Sequence, residues 1–126
     1  MSLPPNLDHS TAKSYNLDMI QMMCRGNESQ ILSMISVFIS QISTSINDIK
    51  IAYTQNDFIQ IKKLAHKIKP TLTYFGTAKL EKEFIDTELL ISTETSSTEL
   101  EVKIKTLQVL ADEVVAELKN DFKITN

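Results

Sequence analysis

Residues 31–53, ILSMISVFISQISTSINDIKIAY, decide the fold of this chain. Apolar side chains recur there every three or four residues over about six helical turns. They are Ile31, Met34, Ile35, Phe38, Ile39, Ile42, Ile46, Ile49 and Tyr53. The many β-branched residues favour a strand by propensity alone, but a strand would need an apolar period of two. The stretch is therefore predicted to be one long amphipathic helix.

The segments on either side show the same period. Before it, a short helix is predicted over about residues 17–24, ended by Gly26, and Asn27 with Gln30 forms a capping pair for the long helix. After it, Asn56 or Asp57 is expected to cap a third helix, which ends near Gly76. A fourth helix begins at about Thr77, and a fifth follows the polar loop near residue 95, with Ser96 and Glu99 as its capping pair. The apolar stripes of these three helices are Phe58, Ile61, Leu64, Ala65, Ile68 and Leu72; Leu80, Phe84, Ile85, Leu89 and Ile91; and Leu100, Ile104, Leu107, Ala111, Val114, Leu118 and Phe122.

Four long amphipathic helices with short connections predict an all-α protein, an antiparallel up-down-up-down four-helix bundle with a short additional N-terminal helix. Two glycines and three prolines among 126 residues are too few for the turns of a large antiparallel sheet. Residues 1–13 have no apolar period and are predicted to be a loose lead-in, so the bundle domain spans residues 14–126. The methionines Met19, Met22, Met23 and Met34 are expected to fill the core.

Composition excludes several classes of function. A net charge of −3 gives no basic surface for nucleic acid. The single cysteine, Cys24, cannot form an internal disulfide, and the N-terminus lacks the charge and apolar run of a secretory signal. No uninterrupted apolar run approaches the roughly 20 residues of a membrane helix. We expect a cytoplasmic protein without a membrane span.

His66 is the residue best suited to chemistry. At about 100° per residue it points away from the stripe of the third helix and should face solvent. Lys62, Lys63, Lys69 and Pro70 lie three or four positions from it and are its surface neighbours. Ammonium groups there disfavour a protonated ring, which leaves a nitrogen lone pair as a nucleophile, and they would stabilise a phosphoryl group on that nitrogen. A solvated, lysine-rich helix face that happens to include a histidine is the alternative that these residues alone leave open.

Pro70 lies where its missing N–H would have bonded the His66 carbonyl, so the helix is expected to bend or loosen at the histidine.

The sequence lacks the residues that a metal site or an ATP site would need. Position 63 is lysine rather than the glutamate of a Glu-x-x-His di-metal motif, two histidines and one cysteine are too few for a usual zinc site, and no glycine-rich loop precedes a helix to hold ATP. No metal site or cofactor is predicted, and His9, in the lead-in, is given no role.

The segment LAHKIKPTLTYFG, Leu64–Gly76, resembles the signature of the histidine-containing phosphotransfer family. The resemblance consists of Ala-His, a lysine three residues after the histidine, a helix-bending residue next, and a glycine ten residues after the histidine. Residues 15–31 are similar to the family's short first helix and the turn into its long second helix. Pro70 departs from the pattern, because many members have glycine there.

The resemblance implies a phosphorelay intermediate. A receiver domain of a response regulator or hybrid histidine kinase would pass its aspartyl phosphate to His66, and another receiver would then accept it. Lys69 would assist, and Gly76 would leave the ring accessible. The partner-binding surface is expected to include Ile59, Thr73, Pro70, Lys62 and Lys63. Any metal ion is expected on the receiver. This chain is expected to be a monomer without kinase activity.

Two alternatives remain at this point. The same face could dock a receiver or kinase without phosphorylation, or the chain could be a structural dimerisation bundle, which predicts a buried His66. The donor, the acceptor, the direction of flow and the pathway output do not follow from the sequence.

Overall fold

The computed structural model describes residues 14–93 and 97–124, which form five helices. They are α1 (Asp18–Met23), α2 (Glu28–Thr54), α3 (Phe58–Tyr74), α4 (Ala78–Ser92) and α5 (Ser97–Phe122). The long helices pack in a ring in which α2 contacts α3, α3 contacts α4, α4 contacts α5, and α5 closes back on α2. The predicted all-α bundle with a short N-terminal helix is confirmed. The proposed lead-in at residues 1–13 lies outside the described residues.

Side-chain caps fix where two of the long helices begin. The Asn27 side chain accepts a hydrogen bond from the Gln30 backbone N–H at 3.0 Å, as predicted. At α3 the cap is Asp57, which accepts from the Gln60 N–H at 3.1 Å. Asn56 takes a left-handed turn conformation instead, with φ of 55°. The predicted Ser96 cap lies outside the described residues.

The core follows the predicted stripes on three helices. All the stripe residues expected on α5 are buried, and α2 and α3 bury theirs wholly or in part. On α4 the prediction was wrong for Ile85 and Leu89, which are exposed. The side chain that α4 buries in their place is Thr87, whose hydroxyl donates to the Glu83 carbonyl at 2.8 Å. Leu80, Phe84 and Thr87 follow the helical repeat toward the core, which turns Ile85 and Leu89 to the surface.

The methionines of α1 are not core residues. Met19, Met22 and Met23 are exposed, and only Met34 packs against the core. The short α1 contributes a single buried residue, Ile20, because its six residues cannot present a longer stripe to the bundle.

Helix α2 is long and apolar enough to cross a membrane when judged by length and composition alone. It is, however, amphipathic in the bundle: its buried residues are Ile31, Ile35, Phe38, Ile42, Ile46, Ile49 and Ala52. The exposed face is largely serine, threonine, glutamine and asparagine. A helix with one apolar face on the core and one polar face in water is typical of a helix bundle, whereas a membrane span would present apolar side chains to lipid.

The segment before α1 is tied to α5. The Ser14 hydroxyl and backbone N–H both donate to the Glu117 carboxylate, and the buried Tyr15 hydroxyl donates to Asp121. Burial, and then the bond to Asp121, raise the pKa of Tyr15 above its ordinary range. These contacts fix the N-terminal segment beside the end of α5.

Candidate functional site at His66

The His66 ring stands on the outer face of α3. Its neighbours toward the core, Ala65 and Ile68, are buried, while the His66 side chain is 76% exposed. The prediction that the ring faces solvent is confirmed. An incoming group can therefore reach the ring from outside the bundle.

A carboxylate from the neighbouring helix holds one side of the ring. His66 Nδ1 lies 3.0 Å from Oε1 of Glu88 on α4. One further contact shows the register of the two helices: the Thr73 hydroxyl donates to Glu81 Oε2 at 2.8 Å. From His66 to Thr73 the chain advances seven residues along α3, while their partners go back seven residues along α4, from Glu88 to Glu81. Helices α3 and α4 therefore run antiparallel, with His66 opposite Glu88.

Lys69 shares the same carboxylate. Its Nζ lies 2.5 Å from Glu88 Oε2, so each oxygen of Glu88 has one partner on α3. The Glu88 side chain is only 12% exposed and that of Lys69 25% exposed. Lys62 and Lys63 are exposed. Of the three lysines expected around the ring, Lys69 is thus the one joined to it through a shared partner.

The Glu88 contact determines the state of the ring nitrogens. An ionised carboxylate can only accept hydrogen bonds, so the bond to Glu88 requires a proton on Nδ1. In a neutral ring the lone pair is then on Nε2, the nitrogen without this partner. Sequence analysis predicted a nucleophilic ring from its lysine neighbours alone. The structure adds a carboxylate whose contact with Nδ1 places the lone pair of a neutral ring on Nε2.

Exposed apolar side chains flank the polar group. Ile59, on α3, is 70% exposed, as predicted for a residue off the core stripe. On α4, Ile85 lies about one turn before Glu88 and is 38% exposed, and Leu89 directly follows Glu88 and is 57% exposed. Sequence analysis had assigned both to the core. Together with His66 they form the His66 face, defined here as Ile59, His66, Ile85 and Leu89.

Pro70 does not end α3, which continues to Tyr74. Because proline has no N–H, the His66 carbonyl lacks the usual bond from four residues ahead. The Pro70 side chain is exposed. The interruption of the backbone hydrogen-bond ladder therefore falls at His66 itself, and the bend expected there stays a prediction.

Gly76 does not have the geometric role expected of it. It lies past the end of α3, and the eight residues from His66 to Tyr74 alone span about 12 Å of helix. A Cβ at Gly76 would come within 2.5 Å of the Asn16 backbone oxygen, and φ is +61°. Asn16 N–H also donates to the Phe75 carbonyl at 3.0 Å. Glycine is needed here to let the N-terminal segment approach the α3–α4 turn, not to clear space at the ring.

Two alternatives can be compared with this geometry. A dimerisation bundle predicted a buried His66; the ring is exposed within the single chain, so that alternative now requires burial of His66 against a second copy. Across residues 14–93 and 97–124, no three histidine, cysteine, aspartate or glutamate side chains are grouped to hold a metal ion. The exposed ring is compatible with docking, with or without phosphoryl transfer.

Glu88 is the site residue that sequence reasoning missed. The available signal was the turn at Gly76: His66 lies ten residues before it and Glu88 twelve after it, so an antiparallel hairpin places them at similar heights.

A solved structure with the same arrangement of helices is the HPT domain of a sensor hybrid histidine kinase from Shewanella. The TM-score is 0.70 at 18% sequence identity, over 90% of this chain and 97% of that one. This chain has the fold of a histidine phosphotransfer domain. No protein-family model and no curated protein matches the sequence. The phosphotransfer fold agrees with the resemblance that the segment around His66 suggested.

Proposed function

We propose that this chain is a phosphorelay intermediate that carries a phosphoryl group on Nε2 of His66. The observation that carries the proposal is the exposed ring whose Nδ1 is held by Glu88, with Lys69 beside it. The phosphotransfer fold supports the same role. The donor would be an aspartyl phosphate on a receiver domain, and a receiver aspartate would also be the acceptor.

In the proposed reaction this chain contributes mainly the position of the His66 ring and the positive charge of Lys69. The Nε2 lone pair attacks phosphorus in line, a nitrogen–phosphorus bond forms, and the aspartyl oxygen–phosphorus bond breaks with its electron pair on the carboxylate. Lys69 is near enough to the ring for its ammonium group to stabilise charge on the phosphoryl oxygens. No resident cofactor is assigned to this chain, and a metal ion would belong to the receiver.

The His66 face would receive the partner. Its apolar side chains are exposed, and burial of a few such side chains suits a small, short-lived complex. A relay needs such turnover, because the same face must release one receiver before it meets the next. Thr73 and Pro70 extend this surface along α3, and Lys62 and Lys63 contribute positive charge at its edge.

The test is phosphoryl transfer from receiver domains charged on aspartate with acetyl phosphate. The wild-type chain should gain acid-labile phosphate from at least one receiver in a panel, and His66→Gln should gain none. His9→Gln is the matched control, because it removes the other of the two histidines and should be labelled normally. Labelling of His66→Gln, or binding of every receiver without transfer, would contradict the proposal; the second result would favour a docking module.

A further inference from the structure

We infer that Glu88 keeps Nδ1 protonated after His66 is phosphorylated, and so keeps the phosphohistidine ready to give up its phosphoryl group. The inference rests on the proposed function and goes further, because it assigns Glu88 a role in how long the intermediate lives. Glu88 is a positioning residue in this account, since it acts through the ring and does not touch phosphorus.

The proton on Nδ1 sets the charge of the ring. The ring that attacks must be neutral, with hydrogen on Nδ1 and the lone pair on Nε2. When Nε2 bonds to phosphorus the ring becomes cationic, and the cation must either keep the Nδ1 proton or release it to water. A carboxylate 3.0 Å away, 12% exposed, favours the charged ring through both charge and hydrogen bonding.

The state of that proton decides how easily the phosphoryl group leaves. From the cationic ring, the nitrogen–phosphorus bond breaks with its electron pair on Nε2, and neutral imidazole departs. From the deprotonated ring, the same step must expel an imidazolate anion, a far poorer leaving group. With the proton held on Nδ1, both receipt and release of the phosphoryl group proceed without any proton transfer.

The other charged groups near the ring do not replace Glu88. On α3 these are the exposed Lys62, Lys63 and Lys67 together with Lys69, all positive, which disfavour a cationic ring. On α4, Glu81 accepts from Thr73 two turns away, and Asp86 pairs with Lys103 of α5 at 3.6 Å. Among the described residues, Glu88 is the carboxylate in contact with the ring. Lys69 has a long flexible stem, and its movement toward the phosphoryl oxygens would leave the charge of Glu88 to the imidazolium.

The test compares the full chain with Glu88→Gln and with Glu81→Gln. Glutamine keeps the shape and a hydrogen-bond acceptor at position 88 but removes the charge. Glu81→Gln makes the same charge change on the same helix at a carboxylate that contacts Thr73 rather than His66. Each protein is phosphorylated with potassium phosphoramidate, freed of reagent, and followed by 31P NMR for decay of the phosphohistidine between pH 7 and pH 9.

The phosphohistidine of Glu88→Gln should last about tenfold longer at pH 8 than that of wild type, the change expected for a barrier roughly 1.4 kcal/mol higher. Its lifetime should also rise more steeply with pH, because its Nδ1 loses the proton more readily, and 15N NMR of the ring should show this loss directly. Glu81→Gln should match wild type. Equal lifetimes and equal Nδ1 protonation in Glu88→Gln and wild type would overturn the inference alone, whereas failure of wild-type His66 to take up phosphate would overturn the proposed function as well.

Discussion

Lys69 contacts Glu88 in the structure but would contact the phosphoryl group in the proposed reaction. We expect Lys69→Ala to slow phosphorylation of His66 by a charged receiver by about tenfold to hundredfold, less than the roughly hundredfold to thousandfold lost with one buried donor, because Lys69 is partly exposed to water. The measurement is the single-turnover transfer rate.

Lys67→Ala provides the control for this change. Lys67 is exposed and adjacent to His66 in sequence, so its loss alters net charge equally while leaving the contact with Glu88 intact. It should transfer at nearly the wild-type rate. Equal losses in the two variants would mean that Lys69 contributes only to the general charge of the surface.

The two glycines differ in what surrounds them, which allows backbone strain to be separated from steric contact. Both have positive φ, +73° at Gly26 and +61° at Gly76. A Cβ at Gly26 meets nothing within 4 Å, whereas one at Gly76 meets Asn16 at 2.5 Å. Gly26→Ala should cost about 1 kcal/mol of unfolding free energy from backbone strain, and Gly76→Ala at least about 1 kcal/mol more. Urea unfolding measures both, and equal costs would show that the N-terminal segment yields without penalty.

At the scale of the helix, much of this protein could be predicted because the signals are local. Asn27 and Asp57 cap residues three positions away, and the stripes of α2, α3 and α5 are periodic within one segment. Contacts between helices are different, because they depend on register. The sequence of α4 alone does not indicate which of its faces packs against α3. For this reason Ile85 was wrongly assigned to the core, and the contact of Glu88 with His66 was not predicted.

Pro70 offers a prediction about α3 itself. Proline within a helix costs up to about 3 kcal/mol relative to alanine, because it removes a hydrogen bond and its ring crowds the preceding turn. Pro70→Ala would supply an N–H to the His66 carbonyl, so we expect the unfolding free energy to rise by about 1–3 kcal/mol. Chemical denaturation should show this as a higher midpoint with an unchanged slope. Lys67→Ala on the same helix should change stability by only a few tenths of a kcal/mol, and a Pro70→Ala variant no more stable than this control would show that α3 accommodates the proline without cost.

At the scale of the whole molecule, stability should depend on pH through the contact that joins the N-terminal segment to α5. The pKa of Tyr15 is raised in the folded protein, by burial first and then by Asp121. A raised pKa means that the folded state holds the proton more tightly than the unfolded state, so this stabilisation is complete below the unfolded pKa of about 10 and is lost above it. Lys103, whose pKa is raised by its hydrogen bond to Glu83, acts in the same direction.

Tyr15→Phe isolates the tyrosine contribution. Near pH 7 the variant should be less stable by about 1 kcal/mol, because Asp121 loses a hydrogen bond. Above about pH 10 the wild type should lose up to roughly 1.4 kcal/mol per pH unit more than the variant, since only the wild type must keep a buried phenol protonated. The two stability curves should therefore converge in alkali, while Tyr74→Phe, at an exposed position, should run parallel to wild type throughout. Urea unfolding from pH 7 to pH 11 provides the curves, and a constant gap between wild type and Tyr15→Phe would mean that the phenol does not anchor the N-terminal segment through its proton.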